Sequence, residues 1–251
     1  MYICDQNDAV IALTDNNYLK HLKTLLASLR STKHKINVYV CLINIDQAVD
    51  LEKELKSIYS PISFKYINKK FMTDADRKAF CSNYRVTFIK EILKNPLESI
   101  IYLDADSIVR KEMSLAEVNL DSDIEILFRK SDDDRFKVAT GAILVKNNPR
   151  SKRFFEEWEK NIQPKIYSWF SDQRTFYKTF LSLRDEVNIY PIDKRLIDWE
   201  FKETSIVWAG KGKRKYTNSI YLLEALKLRT NNRKLQRAIS QIQSIFMKLR
   251  F

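Results

Sequence analysis

The sequence predicts an α/β fold built on a mostly parallel sheet, and three observations carry that reading. Short apolar runs alternate with amphipathic helical stretches in a β-α-β-α-β-α-β order over the first hundred residues. The second run, INVYVCLINI (Ile36–Ile45), is apolar almost throughout, as in a strand covered on both faces. The fourth, SIIYL (Ser99–Leu103), ends on two carboxylates, Asp104 and Asp106, where α/β folds place their sites, beyond the carboxyl ends of strands.

Taken in order, AVIALT (Ala9–Thr14) reads as the first strand. The helix through YLKHLKTLLASL follows, with Leu19, Leu22, Leu26 and Leu29 on one face. Asp46 is placed to cap a helix through DQAVDLEKELKSIY. Pro61 and ISFKYI give the third strand, and one long helix is expected from Asp74 to Lys94. Beyond SIIYL, DIEILF (Asp123–Phe128) and GAILVKN (Gly141–Asn147) read as strands, and SKRFFEEWEKNI and Asp172–Leu181 as helices. VNIYPI and SIVWAG are short strands. Leu235, Ile239, Ile242, Phe246 and Leu249 follow a 4-3-4-3 spacing, which makes the terminal segment an amphipathic helix.

Composition removes several function classes. The 251 residues are 45% hydrophobic, enough for a substantial core, and no apolar run approaches the roughly 18–20 residues that span a bilayer. The start, MYICDQNDAV, lacks a secretory pattern, and Cys4, Cys41 and Cys81 form neither a disulfide framework nor a zinc spacing, so a cytoplasmic location is expected. The three glycines, Gly141, Gly210 and Gly212, cannot build a GxGxxG turn or a Walker loop. His21 and His34 read as structural or solvated. Eleven basic residues and one acid lie beyond residue 210, leaving a formal +2 of the total +12 for the body. That distribution argues against a nucleic-acid binder.

Residues i and i+2 of an extended segment point the same way, so Asp104 and Asp106 can present both carboxylates to one cation, with the small Ala105 between them. Oxygen ligands without histidine suit Mg²⁺ or Mn²⁺, whose natural shared ligand is a diphosphate; the competing reading is an ordinary acidic loop.

The segment NYRVTFIKEILKNPLESIIYLDADSIV resembles the nucleotide-sugar glycosyltransferases of the GT-A fold, most closely glycosyltransferase family 8. That group includes glycogenin and bacterial lipopolysaccharide galactosyl- and glucosyltransferases. The resemblance runs in order over residues 8–215. It implies that Arg85 contacts the donor and that Asp104 and Asp106 bind a metal, Mn²⁺ or Mg²⁺, bridging the donor diphosphate. Ala12, Thr14, Asp15 and Tyr18 match the turn that holds uracil and ribose; Tyr18 could stack on the base or staple the helix start. Gly141 matches the strand where the sugar approaches, with Ala139 in place of a common asparagine. Asp172 and Gln173 match a helix start facing donor sugar and acceptor, although an aspartate there could be only a cap.

Val207-Trp-Ala-Gly-Lys-Gly-Lys213 resembles the loop that closes over the donor phosphates, matching at Gly210 and Lys213. Val207 replaces the histidine that completes the metal shell. Lys211, Lys213, Arg214 and Lys215 adjoin these glycines and are expected to serve the donor.

The activity implied is metal-dependent transfer of a hexose, from a UDP-sugar, to a glycan or glycolipid in bacterial surface polysaccharide synthesis. Either the leaving phosphate or Asp172 takes the acceptor proton, so stereochemistry stays open. The alternative is an inactive nucleotide-sugar-binding module that docks through its tail. The expected organisation is a GT-A catalytic domain over 1–215 and a basic amphipathic helical tail over 216–251. That tail packs on the body, attaches to an anionic membrane surface or self-associates.

Overall fold

A computed structural model describes residues 7–33, 35–45, 49–113, 121–210, 212–230 and 232–248. Its centre is a seven-stranded sheet. Four parallel strands, β1 (Asp8–Asp15), β2 (Asn37–Ile43), β3 (Ile62–Ile67) and β4 (Ser99–Leu103), stand in the order β3-β2-β1-β4. The sheet continues through β7 (Val138–Lys146), antiparallel to both β4 and β6 (Ile124–Phe128), and ends on β8 (Ile189–Pro191). A small second sheet joins the two-residue strands β5 (Ile108–Val109), β10 (Val207–Trp208) and β9 (Ile197–Asp198).

The doubly apolar strands are covered on both faces, as their composition requires. α1 (Leu19–Ser31) lays Leu22, Leu25, Leu26 and Leu29 on one face, with Val10, Val38, Val40 and Leu103 beneath. The opposite face carries Phe88 and Ile89 of α4 (Arg85–Ile92), Phe154 and Trp158 of α5 (Pro149–Ile162) and Phe176 of α6 (Ser171–Leu183). Each such large side chain contributes about 1.5–3 kcal/mol on burial. α2 (Val49–Ile58) flanks the first face through Leu55. Cys41 is buried apolar filler in β2, its thiol pushed up to about 12 by burial.

The long helix expected from Asp74 to Lys94 is two helices, α3 (Asp74–Asn83) and α4, meeting at Tyr84. The break is made by side chains at the junction. Arg85 donates its Nε–H to the Ser82 carbonyl at 2.5 Å, occupying the acceptor that a continuous helix would offer to residue 86. Asn83 turns its amide onto the carbonyls of Ile166 (2.7 Å) and Ser168 (2.9 Å). The break therefore aims side chains at the site.

The C-terminal segment forms α7 (Arg214–Thr217), α8 (Ser219–Arg229) and α9 (Arg233–Lys248). α8 buries Ile220, Tyr221 and Ala225 against Ile108, Phe201 and Trp208. α9 lies on α8 through the buried Ile239 and Gln243, while Leu235, Ile242, Ile245 and Phe246 are exposed. Of the residues singled out in the sequence, Cys4, His34, Asp46, Lys211 and Leu249 lie outside the described residues.

Candidate functional site

The carboxyl edge of β1 and β4 opens into a cavity of about 520 Å³. β4 ends at Leu103, paired with Ala142 of β7, and the register continues one step further as the Asp104 N–H donates to the Gly141 carbonyl at 2.8 Å. This pairing brings the Asp104 carboxylate against Gly141 so closely that a Cβ there would stand 2.6 Å from Oδ2. Gly210 has the same role beside Asp106, where a Cβ would meet the Asp106 carbonyl oxygen at 2.4 Å. Two of the chain's three glycines thus fit the backbone around the acidic pair.

Each carboxylate of that pair already faces a cation. Asp104 accepts the Tyr102 hydroxyl (3.0 Å) and lies 3.0 Å from Arg85 Nη1. Arg85 is buried, donates to the Thr140 carbonyl (2.7 Å), lies 3.7 Å from Asp172 and stands over the Tyr102 ring at 5.0 Å. Burial disfavours its charge, but Asp104 and the neighbouring acids override this and hold its pKa above the ordinary guanidinium value. Asp106 lies 2.5 Å from Lys215 Nζ, which also donates to the Tyr18 hydroxyl at 3.0 Å. Burial and the adjacent Asp104 push the Asp106 carboxyl up, against the pull of Lys215. The Tyr221 hydroxyl donates to the Asp106 carbonyl at 2.6 Å, so α7 and α8 grip this residue at both ends.

The far wall starts at α6. Its N-cap is Phe170, held in a left-handed backbone (φ +61°), so Asp172 is not the cap that its position at a helix start suggests. Asp172 is fully buried; its N–H donates to Asn83 Oδ1 (3.0 Å), and its Oδ2 accepts the Thr140 hydroxyl (2.5 Å). Its Oδ1 has no hydrogen-bond partner. Gln173 Oε1 accepts from Arg129, which also donates to the Val138 carbonyl. On the near wall Asp15 takes the Tyr18 N–H (3.2 Å) and an ion pair from Arg77. Trp169, Phe170, Phe136 and Trp199 add aromatic faces. Cations, carboxylates and aromatic surface in one cleft suit a ligand with a charged phosphate end and a flat or ring-shaped end.

A family model, the nucleotide-diphospho-sugar transferases, matches residues 51–237. The chain belongs to this family. No curated protein sequence matches it. Among solved structures, it is similar to the galactosyltransferase LgtC in complex with donor and acceptor sugar analogs. That match has a TM-score of 0.65 at 14% identity, over 91% of this chain and 99% of that one. It is also similar to the apo form of WbbM, a bifunctional glycosyltransferase, with a TM-score of 0.65 at 12% identity, over 96% of this chain and 52% of that one. The apo glycosyltransferase GlyE of Streptococcus pneumoniae TIGR4 matches with a TM-score of 0.60 at 12% identity, over 96% of this chain and 64% of that one. At these identities the likeness is one of fold, and the fold is LgtC-like GT-A.

In this transferase the cavity gathers most residues expected from the sequence: Thr14, Asp15, Tyr18, Arg85, Asp104, Ala105, Asp106, Gly141, Asp172, Gln173 and Gly210. Ala12 is in the core and Lys213 is exposed, outside the cavity wall. Arg77, Arg129 and Thr140 were not assigned a site role from sequence. Arg77 and Arg129 are isolated basic residues without a motif, and Thr140 stands just before the strand that the sequence predicts from Gly141. Lys215 was grouped with three basic neighbours, and nothing local distinguished it.

Proposed function

We propose that this transferase moves a hexose from a nucleoside diphosphate sugar, UDP-hexose foremost, to a hydroxyl of a glycan or glycolipid. The observation that carries the reading is the convergence of Asp104, Arg85, Gly141 and Asp172 on one cavity at the carboxyl edge of the sheet. In the reaction the C1–O bond to the diphosphate breaks, and its electron pair leaves on the phosphate oxygen. The acceptor oxygen bonds to C1 and gives up its proton. Asp172 offers the unpartnered Oδ1 for that proton or for positioning the sugar, with Oδ2 anchored on Thr140. Charge growing on the leaving phosphate needs fixed donors, and Lys215 is the basic residue of the 212–215 segment that lines the cavity to supply one.

The resemblance implies Mn²⁺ or Mg²⁺ on Asp104 and Asp106, and the side chains present do not fit a resident divalent cation. Asp106 is ion-paired with Lys215 and Asp104 with Arg85. Val207, at the position of the third ligand, is completely buried in the apolar core. Among the described residues, no group of three or more His, Cys, Asp or Glu could hold a metal.

For the acceptor side we infer a bacterial surface glycan or glycolipid, reached at an anionic membrane on its cytoplasmic face. Supporting this, α8 and α9 leave Leu222, Leu226, Ile242, Ile245 and Phe246 exposed, and Arg233, Lys234 and Arg237 are exposed on the same segment. No helix among the described residues is long and apolar enough to cross a membrane. The test is a screen of nucleotide sugars that reads nucleotide release. Release from one donor, lost in Asp172→Asn, is expected. Tight nucleotide binding with no release from any donor reduces the role to nucleotide-sugar binding.

A further inference from the structure

We propose that Lys215 is a built-in cation that stands in for a divalent metal at Asp106, so that this chain binds the diphosphate of its donor without metal. The proposal rests on the donor reading above. Its ground is the surroundings of one ammonium group. The Lys215 side chain is 5% exposed, lines the donor cavity and lies 2.5 Å from Asp106 Oδ2. A buried lysine is retained only with a close counter-charge and hydrogen-bond acceptors, and Asp106 and the Tyr18 hydroxyl provide both. An ammonium carries three N–H donors. Asp106 and Tyr18 take two, and the third is available to a phosphate oxygen in the cavity.

The placement is built by the backbone. Gly210 lets the loop rest directly on Asp106, since any side chain there would collide with the Asp106 carbonyl. Gly212 turns the chain through a left-handed conformation (φ +60°) into α7. Six residues beyond Lys215, Tyr221 closes the same connection onto the Asp106 carbonyl at 2.6 Å. The loop therefore delivers a charged nitrogen to the acidic pair. The third metal position is filled by the apolar Val207, whose strand β10 pairs with β5 immediately after the pair. A divalent cation entering here would meet Lys215 and Arg85 at hydrogen-bond distance from its two carboxylates, a like-charge arrangement that disfavours it.

The experiment is UDP binding by calorimetry to the full chain, freed of metal, in EDTA and then with Mn²⁺ or Mg²⁺ at fixed ionic strength. Binding of Mn²⁺ alone is followed by its electron paramagnetic resonance signal. Affinities within threefold between chelator and metal, and no stoichiometric Mn²⁺ on the protein alone, are expected. Lys215→Met is expected to weaken UDP binding at least tenfold in EDTA and to recover with Mn²⁺, because Asp106 is then unpaired. Lys215→Arg keeps the charge and is expected to bind without metal. Should Lys215→Met fail to fold, the comparison on the unaltered chain decides alone. A gain above threefold on adding metal to that chain, with weak binding in EDTA, overturns the role of Lys215 and leaves the donor reading standing. Failure to bind any nucleoside diphosphate in either condition overturns both.

Discussion

Replacing Arg85 by alanine tests whether the site is held by its charges. The guanidinium is buried and makes five polar contacts: the Ser82 carbonyl (2.5 Å) and hydroxyl (3.2 Å), the Thr140 carbonyl (2.7 Å), Asp104 (3.0 Å) and Asp172 (3.7 Å). Its loss leaves two carboxylates without their shared cation, Asp172 fully buried and Asp104 37% exposed to the cavity, so solvent screening of Asp104 puts the cost toward the low end of the range for buried pairs. Removing one partner of a buried ion pair costs about 3–5 kcal/mol. At roughly 2–4 °C per kcal/mol for a chain of this size, the melting temperature falls by about 6–20 °C, toward the lower figure.

The pH dependence gives that prediction a sign. Burial raises the Asp104 carboxyl above its ordinary value, and Arg85 is the largest influence holding it down. In Arg85→Ala the folded-state value moves up further. The variant's deficit is therefore full at high pH and shrinks as pH falls through the raised value, because a neutral carboxyl is cheaper to bury. Thermal melts of variant and parent at pH 8 and pH 5 read this directly. A drop under about 2 °C, or a deficit equal at the two pH values, refutes the reasoning that Arg85 is the counter-charge of Asp104.

Two further outcomes are expected. His21 is buried in α1 with Nε2 unpartnered, and burial, then the charges of Lys215 and Lys20, lower its pKa to about 4. The neutral ring is the stable one, so the stability it contributes is complete above about 6.5 and is lost as pH falls from there to about 4; an NMR titration with a midpoint near 6.5 contradicts this. Exposed Ile242 and Phe246, changed together to asparagine, should leave the melting temperature nearly unaltered while reducing co-sedimentation with vesicles containing phosphatidylglycerol. Absence of vesicle binding by the parent chain ends the membrane reading.

What the sequence revealed was local, and what it hid was tertiary. The strands β1, β2 and β4 and helix α1 follow from apolar periodicity, and the acidic pair announces itself by standing directly after a buried run. The break at Tyr84 is different. The residues around it are compatible with one helix, and the interruption arises because Arg85 turns back onto Ser82 while reaching Asp104 and Thr140, residues distant in the chain. The two-residue strands β5, β9 and β10 are too short to carry a periodic signal. Asp172 shows how a helix-start aspartate can mislead, because its burial depends on Thr140 and Arg85 and on a left-handed Phe170.

The basic C-terminal segment shows the same limit most clearly. By charge alone Lys215 is one of four similar residues between 211 and 215, and a solvated surface run is the ordinary expectation for such a stretch. Packing separates them. Lys213 and Arg214 are exposed, whereas Lys215 points inward beneath Tyr18 because Gly210 seats the loop on Asp106 and Tyr221 fastens α8 behind it. A positive charge in that position opposes a second cation at the same carboxylate. Val207 removes the remaining ligand position by joining the apolar core. Val207 and Lys215 therefore act together: the first puts an apolar side chain where the resemblance implies a metal ligand, and the second puts a fixed positive charge on Asp106.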